Sequence, residues 1–291
     1  MRTTDHPEAS VVLQHQGRDV VAYVWRPQID RFLAPRPYAH PIRTLSGVEV
    51  TESMPSTHRH HLGLSIAVPD LAGHNFWGGR TFVPRHGPTW LENHGVQQHL
   101  DWHRRESDTV SHTIAWTTAD GLQLLRERRT LTARPVTADS WALDVHFALT
   151  NAGRDPMSMS SPSVYGRAGA GYGGFFWRAP MTTGRLLAFG PAGAGTELLH
   201  GSTSPWLALA CERPDGGSWT LVFVGACGDT RQDPWFVRTR DYAGVGSALA
   251  WHRPLTIGPG RTVSRRVVTV VTDGVQDPER AATLASAVYP A

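Results

Sequence analysis

Histidines are concentrated in one part of the chain. Nine of the fifteen lie between residues 58 and 112, and His58, His60 and His61 fall within four positions. The unperturbed pKa of imidazole lies near neutrality, so a histidine cluster supplies general acids, general bases or metal ligands without special tuning. The stretch 38–79, which holds the densest part of the cluster between apolar segments, is therefore predicted to carry the functional site.

Four side chains are candidate catalytic groups. His60, His61 and His74 are placed to protonate an oxygen or to take up a proton. Asp233 is a candidate carboxylate, although an Asp-Pro sequence is also typical of the start of a turn. For the histidines, the alternative is a solvated loop in which they only form hydrogen bonds.

The same histidines are candidate metal ligands. If the segment is extended, His58 and His60 point to one face and His61 to the other. Zinc, manganese or iron would accept such a pair together with further ligands. Three alternatives fit this spacing: a metal site, metal-free acid/base chemistry, and a solvated loop. Spacing alone does not decide among them. The further ligands would come from His74, His94 or His99, or from Glu92 or Asp101.

Aromatic and polar residues near the histidines predict a polar, ring-shaped ligand such as a sugar. The chain has 11 tryptophans, and aromatic faces stack on the apolar C–H faces of sugars, while arginine and asparagine donate hydrogen bonds to hydroxyl groups. Core packing explains some of these aromatic residues equally well. The candidate substrate-binding residues are Arg43, Asn75, Trp77, Tyr172, Arg178, Trp235 and Arg238.

The elements that must position these residues are strands. Apolar and polar residues alternate in short segments bounded by turn residues, which is typical of an all-β protein. Only the segment after Asp277, with Pro278 at the first helical position, predicts a helix. We expect one β-sandwich domain over residues 1–291. The predicted strands include 11–14, 20–25, 113–117, 122–126, 141–149 and 261–272.

Three segments between these strands read as long loops, at 27–57, 69–92 and 168–180, and long loops often carry function. A further hairpin, 206–211 with 219–227, is predicted around Asp215-Gly216-Gly217. In its register Cys211 and Cys227 lie too far apart for a disulfide.

The charge and composition exclude several partners. The formal net charge is +3, and all 28 basic residues are arginines that are mostly scattered singly, so there is no clustered basic stripe of the kind that binds nucleic acid. Without lysine, Schiff-base chemistry is excluded. Residues 1–10 have no apolar secretion signal, and no run is long enough for a membrane helix. We expect a cytoplasmic protein that acts on a small molecule.

The motifs resemble those of the bacterial PmoA family, which carries a "methane oxygenase" label. The resemblance rests on the run from Arg36 to Thr51, on His58-Arg-His-His-Leu-Gly-Leu64, and on His74-Asn-Phe-Trp77. Asp233-Pro-Trp-Phe-Val-Arg238 resembles the family's C-terminal motif. The residues around Gly173-Gly174 stand at the family's Gly-Gly stretch, although Tyr172 replaces a glutamate that commonly precedes it.

The resemblance implies a large antiparallel β-sandwich of the galactose-mutarotase kind with His60 and His61 in the site. It also implies a setting in sugar metabolism. The leading expectation is an enzyme that acts on a sugar or glycoside by histidine-based acid/base or metal-assisted chemistry, as a lyase, hydrolase or epimerase. The alternatives are a non-catalytic sugar-binding or regulatory β-sandwich and a metal-dependent oxidoreductase.

Overall fold

The computed structural model describes residues 9–181, 184–214 and 216–289, and within them the chain forms 21 strands and two short α-helices. The prediction of an all-β protein with large antiparallel sheets and a short C-terminal helix is confirmed. Residues 1–8, which belong to the N-terminal segment predicted to lack a secretion signal, lie outside the described residues, as does Asp215 of the predicted turn. Strands are numbered below in chain order.

A seven-stranded antiparallel sheet carries most of the residues of interest. Its first two strands form the predicted N-terminal hairpin, which turns at Gly17 with the positive φ of 75° that glycine adopts without strain. One of its inner strands, β13, comes from the glycine-rich segment that is predicted to be part of a loop. In spatial order the strands are β1 (Ala9–His15), β2 (Arg18–Arg26), β3 (Tyr38–Ile42), β4 (Leu64–Ala67), β13 (Gly174–Ala179), β19 (Ala243–Ala248) and β18 (Trp235–Arg238).

A nine-stranded antiparallel sheet faces the first. It contains the predicted hairpin around Gly121 and the predicted strands near 141–149 and 261–272. Cys211 pairs with Trp219, and no disulfide joins Cys211 to Cys227, as expected. In spatial order the strands are β15 (Gly193–Ala194), β14 (Arg185–Gly190), β16 (Trp206–Glu212), β17 (Trp219–Gly225), β21 (Thr262–Asp273), β11 (Ser140–Asn151), β10 (Gln123–Thr137), β9 (Thr109–Thr117) and β8 (Val96–Arg105).

The remaining elements are small. Asp277 caps the predicted C-terminal helix, where its side chain accepts a hydrogen bond from the Arg280 N–H. None of the helices in the described part of the chain is long and apolar enough to cross a membrane. The elements are a three-stranded sheet of β20 (Leu255–Ile257), β12 (Met157–Ser160) and β5 (Asp70–Leu71), a hairpin of β6 (Thr81–Val83) and β7 (Gly87–Thr89), and the helices α1 (Thr196–Leu199) and α2 (Pro278–Val288).

The main core lies between the two large sheets. The indole of Trp177 on β13 contacts Phe223 on β17 with ring centroids 5.6 Å apart. Successive strand residues point to opposite faces, so Phe176 leaves this core and joins a second apolar cluster on the outer face of the seven-stranded sheet, together with Phe236 and Trp77. That outer cluster is the floor of the site described below.

A buried ion pair ties the core to the loop before β3. The Arg129 guanidinium donates hydrogen bonds to both Glu127 oxygens at 2.6 and 2.8 Å, and a further one to the Pro37 carbonyl at 2.9 Å. The Trp116 indole N–H donates to Glu127 as well, at 2.8 Å. Every partner is withdrawn from water, so removal of one charge leaves the other uncompensated.

Replacing Arg129 with methionine should therefore lower the free energy of unfolding by about 3–5 kcal/mol. Arg128 is exposed on the same strand, and Arg128→Met should change stability by less than about 0.5 kcal/mol. Urea denaturation followed by tryptophan fluorescence measures both. Equal losses in the two variants would contradict the structural role given to this ion pair.

Candidate functional site

A cavity of about 900 Å³ opens on the outer face of the seven-stranded sheet. Its walls come from loops between strands, at residues 30–33, 56–61, 77–80 and 88–90, with Arg167, Tyr172 and Tyr242 completing the lining. Three of these four wall segments, 30–33, 77–80 and 88–90, lie within loops predicted to be long and functional. The sheet beneath supplies the floor through β4, β13 and β19.

The histidine segment is a turn, not a strand. The His61 N–H donates to the His58 carbonyl at 2.9 Å, which folds the segment back on itself. All three imidazoles consequently meet: the ring centroids are 4.8 Å apart for His58 and His61, 4.7 Å for His60 and His61, and 6.0 Å for His58 and His60. The expectation that His61 points away from the other two is wrong, because it assumed an extended backbone.

His61 lies at the centre of the group. Its side chain is 2% exposed, and its ring contacts Phe176, Trp77 and Tyr242 with centroids 5.1, 5.9 and 5.1 Å away. Its Nδ1 atom is buried and has no hydrogen-bond partner among the described residues. A buried polar atom without a hydrogen bond costs free energy. A ligand group in the cavity would be a natural hydrogen-bond partner for this imidazole.

The environment keeps the imidazoles neutral. Burial, followed by the charge of Arg36, lowers the pKa of His60 to about 3. Burial and the two neighbouring histidines hold the pKa of His61 well below its usual value. Burial and the charge of Arg178 also lower the pKa of His58. At neutral pH all three are unprotonated and can accept hydrogen bonds.

Aromatic rings form one wall. Trp77 and Tyr172 lie with ring centroids 4.6 Å apart, and the Tyr242 ring lies 5.1 Å from that of His58. Burial raises the pKa of Tyr242 to about 12, so its hydroxyl stays protonated. These rings give the cavity apolar faces beside its hydrogen-bonding groups.

One buried arginine fixes the loops around the cavity. Arg36 donates hydrogen bonds to the His60 carbonyl at 2.7 Å and to the Trp77 carbonyl at 3.0 Å. It also donates to the carbonyls of Leu33 and Ala34 at 3.1 and 3.0 Å. Three separate segments of the cavity wall are thereby joined through one side chain.

Asn75 sets the direction of the Trp77 segment. Its side-chain oxygen accepts hydrogen bonds from the N–H groups of Trp77 and Gly78 at 2.9 and 2.8 Å. Gly78 has a φ of 97°, and a Cβ there would lie 2.8 Å from the Cβ of His60. The close approach of this turn to the histidine turn thus requires glycine.

Arg178 stands behind the imidazoles. It donates to Glu52 from Nε and Nη2 at 2.9 and 2.7 Å, and its guanidinium lies 5.0 Å from the centroid of the Tyr242 ring. The side chain is 2% exposed and its Nη1 atom has no hydrogen-bond partner among the described residues. Its position adds positive charge close to the histidines.

The structure thus brings together His58, His60, His61, Trp77 and Tyr172 in the cavity lining. Asn75 and Arg178, predicted to bind substrate, lie directly behind it and position or polarise the lining residues. The remaining five predicted site residues lie elsewhere.

Two of these five are close to the sheet core. Trp235 is buried and its indole N–H donates to the Ser204 carbonyl at 2.7 Å; alternation along β18 places Phe236, not Trp235, on the cavity side. Asp233 is held by Arg265, whose Nε donates to it at 2.6 Å, and burial raises the pKa of this carboxyl to about 6.

The other three lie in different places: Arg43 and His74 on separate loops, and Arg238 at the end of β18. Arg43 pairs with Glu49 at 2.7 Å, and Arg238 donates to the Gly169 carbonyl at 2.9 Å. His74 closes a turn by backbone hydrogen bonds with Leu71. None of them lines the cavity of the histidine turn.

Among the described residues, no third metal ligand joins His58 and His60. In the described part of the chain no group of three or more histidine, cysteine, aspartate or glutamate side chains is arranged to hold a metal ion. His94, one of the proposed third ligands, is engaged through Nε2 with the Gly79 carbonyl at 2.7 Å. His58 and His60 as a ligand pair stay a prediction.

Sequence reasoning missed Arg36, Tyr242 and the rim residues Arg80, Trp90 and Arg167. Arg36 acts through carbonyl groups that only the folded loops bring together, so no spacing signals it. Tyr242 follows Asp241, which has a positive φ of 58°, and that turn alone aims the ring at the histidines.

The lowered imidazole pKa values predict how stability depends on pH. In the unfolded chain His60 and His61 titrate near 6.5, whereas in the folded protein they stay neutral to lower pH. The unfolded state therefore binds more protons as the pH falls below about 6.5, and the stabilising contribution is lost progressively.

Between pH 7.5 and pH 5, wild type should lose about 1–2 kcal/mol more unfolding free energy per histidine than a His60→Gln/His61→Gln variant. Urea denaturation at both values measures the difference. An identical pH dependence in the two proteins would show that these imidazoles are not held neutral.

These observations define the chain as an all-β protein whose cavity combines neutral imidazoles with aromatic rings. The chain belongs to a family described as a family of unknown function, DUF6807, whose model matches residues 10–286. This match corrects the resemblance to the PmoA family, because the family that covers the chain is DUF6807 and carries no methane oxygenase description. No curated protein matches the chain.

Solved structures show distant similarity. A candidate aldose 1-epimerase from Escherichia coli is 12% identical, over 91% of this chain and 99% of its own, with a TM-score of 0.45. A protein from Synechocystis sp. PCC 6803 is 10% identical, over 94% of this chain and 99% of its own, also with a TM-score of 0.45. At these values the similarity carries no argument about activity.

Proposed function

We propose that this protein is a carbohydrate-active enzyme whose histidine turn moves a proton on a bound sugar. The observation that carries the proposal is the convergence of His58, His60 and His61 with the rings of Trp77 and Tyr172 in one cavity of about 900 Å³. A cavity of that size accommodates one or two sugar rings.

The two kinds of lining group have different tasks. The aromatic faces of Trp77 and Tyr172 suit the C–H faces of a pyranose ring, while the imidazoles offer hydrogen-bond acceptors to its hydroxyl groups. A general base must take up a proton from a sugar O–H or an acidic C–H, so in this proposal the bound ligand raises the lowered pKa of the imidazole that acts. Tyr242, whose hydroxyl stays protonated, is a candidate donor on the same side.

The charges of the lining groups favour epimerisation or elimination over glycoside hydrolysis. Hydrolysis by the common mechanism needs two carboxyl groups on either side of the scissile bond. Among the described lining residues Asp30 is the only carboxylate, and it already accepts a hydrogen bond from the Phe32 N–H at 2.8 Å. Proton transfer by imidazole needs no such pair.

A second candidate is a sugar-binding protein without catalysis. It is favoured by one observation: no carboxylate forms a salt bridge or a hydrogen bond with any of the three imidazoles among the described residues. Catalytic histidines often depend on such a carboxylate for orientation and basicity. In this alternative the imidazoles only accept hydrogen bonds from the ligand.

Replacing His60 or His61 with glutamine separates the two candidates. Purified protein is incubated in D₂O with a panel of aldoses and uronic acids, and ¹H NMR follows both deuterium incorporation at carbon and the exchange between anomers. We expect turnover of at least one sugar by wild type and a loss of at least 100-fold in each variant, in line with the usual contribution of general acid/base catalysis.

His86→Gln is the matched control, since His86 is exposed and lies outside the cavity, and it should retain wild-type turnover. Full activity in both cavity variants would reject the catalytic role of the histidines. Saturable binding of a sugar with neither exchange nor interconversion would favour the non-catalytic alternative.

A further inference from the structure

The rim of the cavity is strongly positive. Three arginines contribute to its lining, Arg59, Arg80 and Arg167, against a single carboxylate, Asp30. All three are exposed, and within the described ranges none of them forms an ion pair. Arg80 instead lies over the Trp90 ring, 5.7 Å from its centroid.

The charge continues into the interior. Arg36 is buried and donates to carbonyl groups and to the Ser65 hydroxyl, with no carboxylate among its hydrogen-bond partners. Arg178 has Glu52 as its counter-ion, yet its buried Nη1 has no acceptor. Arg36 adjoins the histidine turn without a carboxylate partner among the described residues, so its positive potential acts on whatever occupies the cavity.

Uncompensated positive charge around a cavity favours an anionic occupant. Exposed arginines that lack intramolecular partners keep their planar donor groups available for a ligand carboxylate. A neutral sugar would gain nothing from this arrangement beyond ordinary hydrogen bonds. The positive charge also comes from side chains on separate loops, whereas phosphate sites are commonly built on backbone N–H groups at a helix N-terminus. Neither of the two α-helices contributes to this cavity, and the helical turn in its lining, Arg31–Leu33, is three residues long and has the Asp30 side chain at its N-terminus.

We propose that the ligand is an acidic sugar, a pyranose ring that carries a carboxylate, with Arg80 and Arg167 as its charge-recognising residues. This inference rests on the proposed function, because it takes the cavity to be a sugar site. The ring lies against the aromatic wall and the carboxylate faces the arginines of the rim. A negative charge there also eases protonation of the neighbouring imidazoles once the ligand is bound.

Two matched pairs of sugars test the charge preference: glucuronate against glucose, and galacturonate against galactose. Isothermal titration calorimetry is performed at 20 and 200 mM NaCl. At low salt we expect at least one uronate to bind about tenfold or more tightly than its neutral partner. The advantage should shrink at high salt, because exposed charges are screened.

Variants assign the preference to particular residues. Arg80→Gln and Arg167→Gln should each weaken uronate binding about three- to tenfold and leave binding of the neutral sugar unchanged. Arg126→Gln is the control, since Arg126 is exposed on β10 away from the cavity. Circular dichroism checks that every variant is folded.

The outcomes that overturn the inference are distinct from those that overturn the proposed function. Equal affinity for neutral and acidic sugars, or an equal loss in Arg126→Gln, would reject the acidic sugar and leave the sugar site standing. Tighter binding of glucose 6-phosphate than of either uronate would reject the carboxylate in favour of a phosphate. Absence of binding by every sugar in the panel would reject both proposals.

Discussion

The candidate site depends on the burial of one cation, Arg36, among backbone carbonyl groups. A buried guanidinium normally requires a carboxylate, and here the carbonyls of Leu33, Trp77 and His60 take that place. Burial and the charge of Arg129 lower the pKa of Arg36 to about 9. This burial has a cost in free energy. The planar guanidinium of Arg36, which donates several hydrogen bonds, joins three loops around one cavity in return.

Arg36 also affects the pKa of His60 in the histidine turn. Burial lowers the pKa of His60, and the positive charge of Arg36, which is bound to the His60 carbonyl, lowers it further. His61 is walled in by aromatic rings. Arg36 therefore supports the loops and also helps to keep His60 neutral.

The seven-stranded sheet forms the floor of the cavity beneath the loops. Alternation along β13 sends Phe175 and Trp177 into the core between the sheets and Phe176 to the outer face beneath His61. Gly173, just before this strand, and Gly174, its first residue, have positive φ values of 134° and 118°, so the backbone enters the sheet close to its neighbours. Of the three consecutive aromatic residues 175–177, two therefore belong to the core and one to the floor of the site.

The sequence was sufficient to predict the hairpins, the strand near 141–149 and the capped terminal helix, because alternation and turn residues act locally. It was also sufficient to locate the histidine cluster. It could not predict that 58–61 is a turn, since that conformation is held by Arg36 and by the close approach of Gly78. It could not exclude Trp235 either, because its strand has apolar residues on both faces and their pattern does not show which face meets the core.

A crystal structure of the protein with a bound sugar would show whether the histidine turn contacts the ligand. We expect a pyranose ring in contact with Trp77 or Tyr172, with at least one of its oxygen atoms within hydrogen-bond distance of an imidazole of His58, His60 or His61. A sugar ordered only outside this cavity, or one bound inside it with no contact to the histidines, would contradict the account.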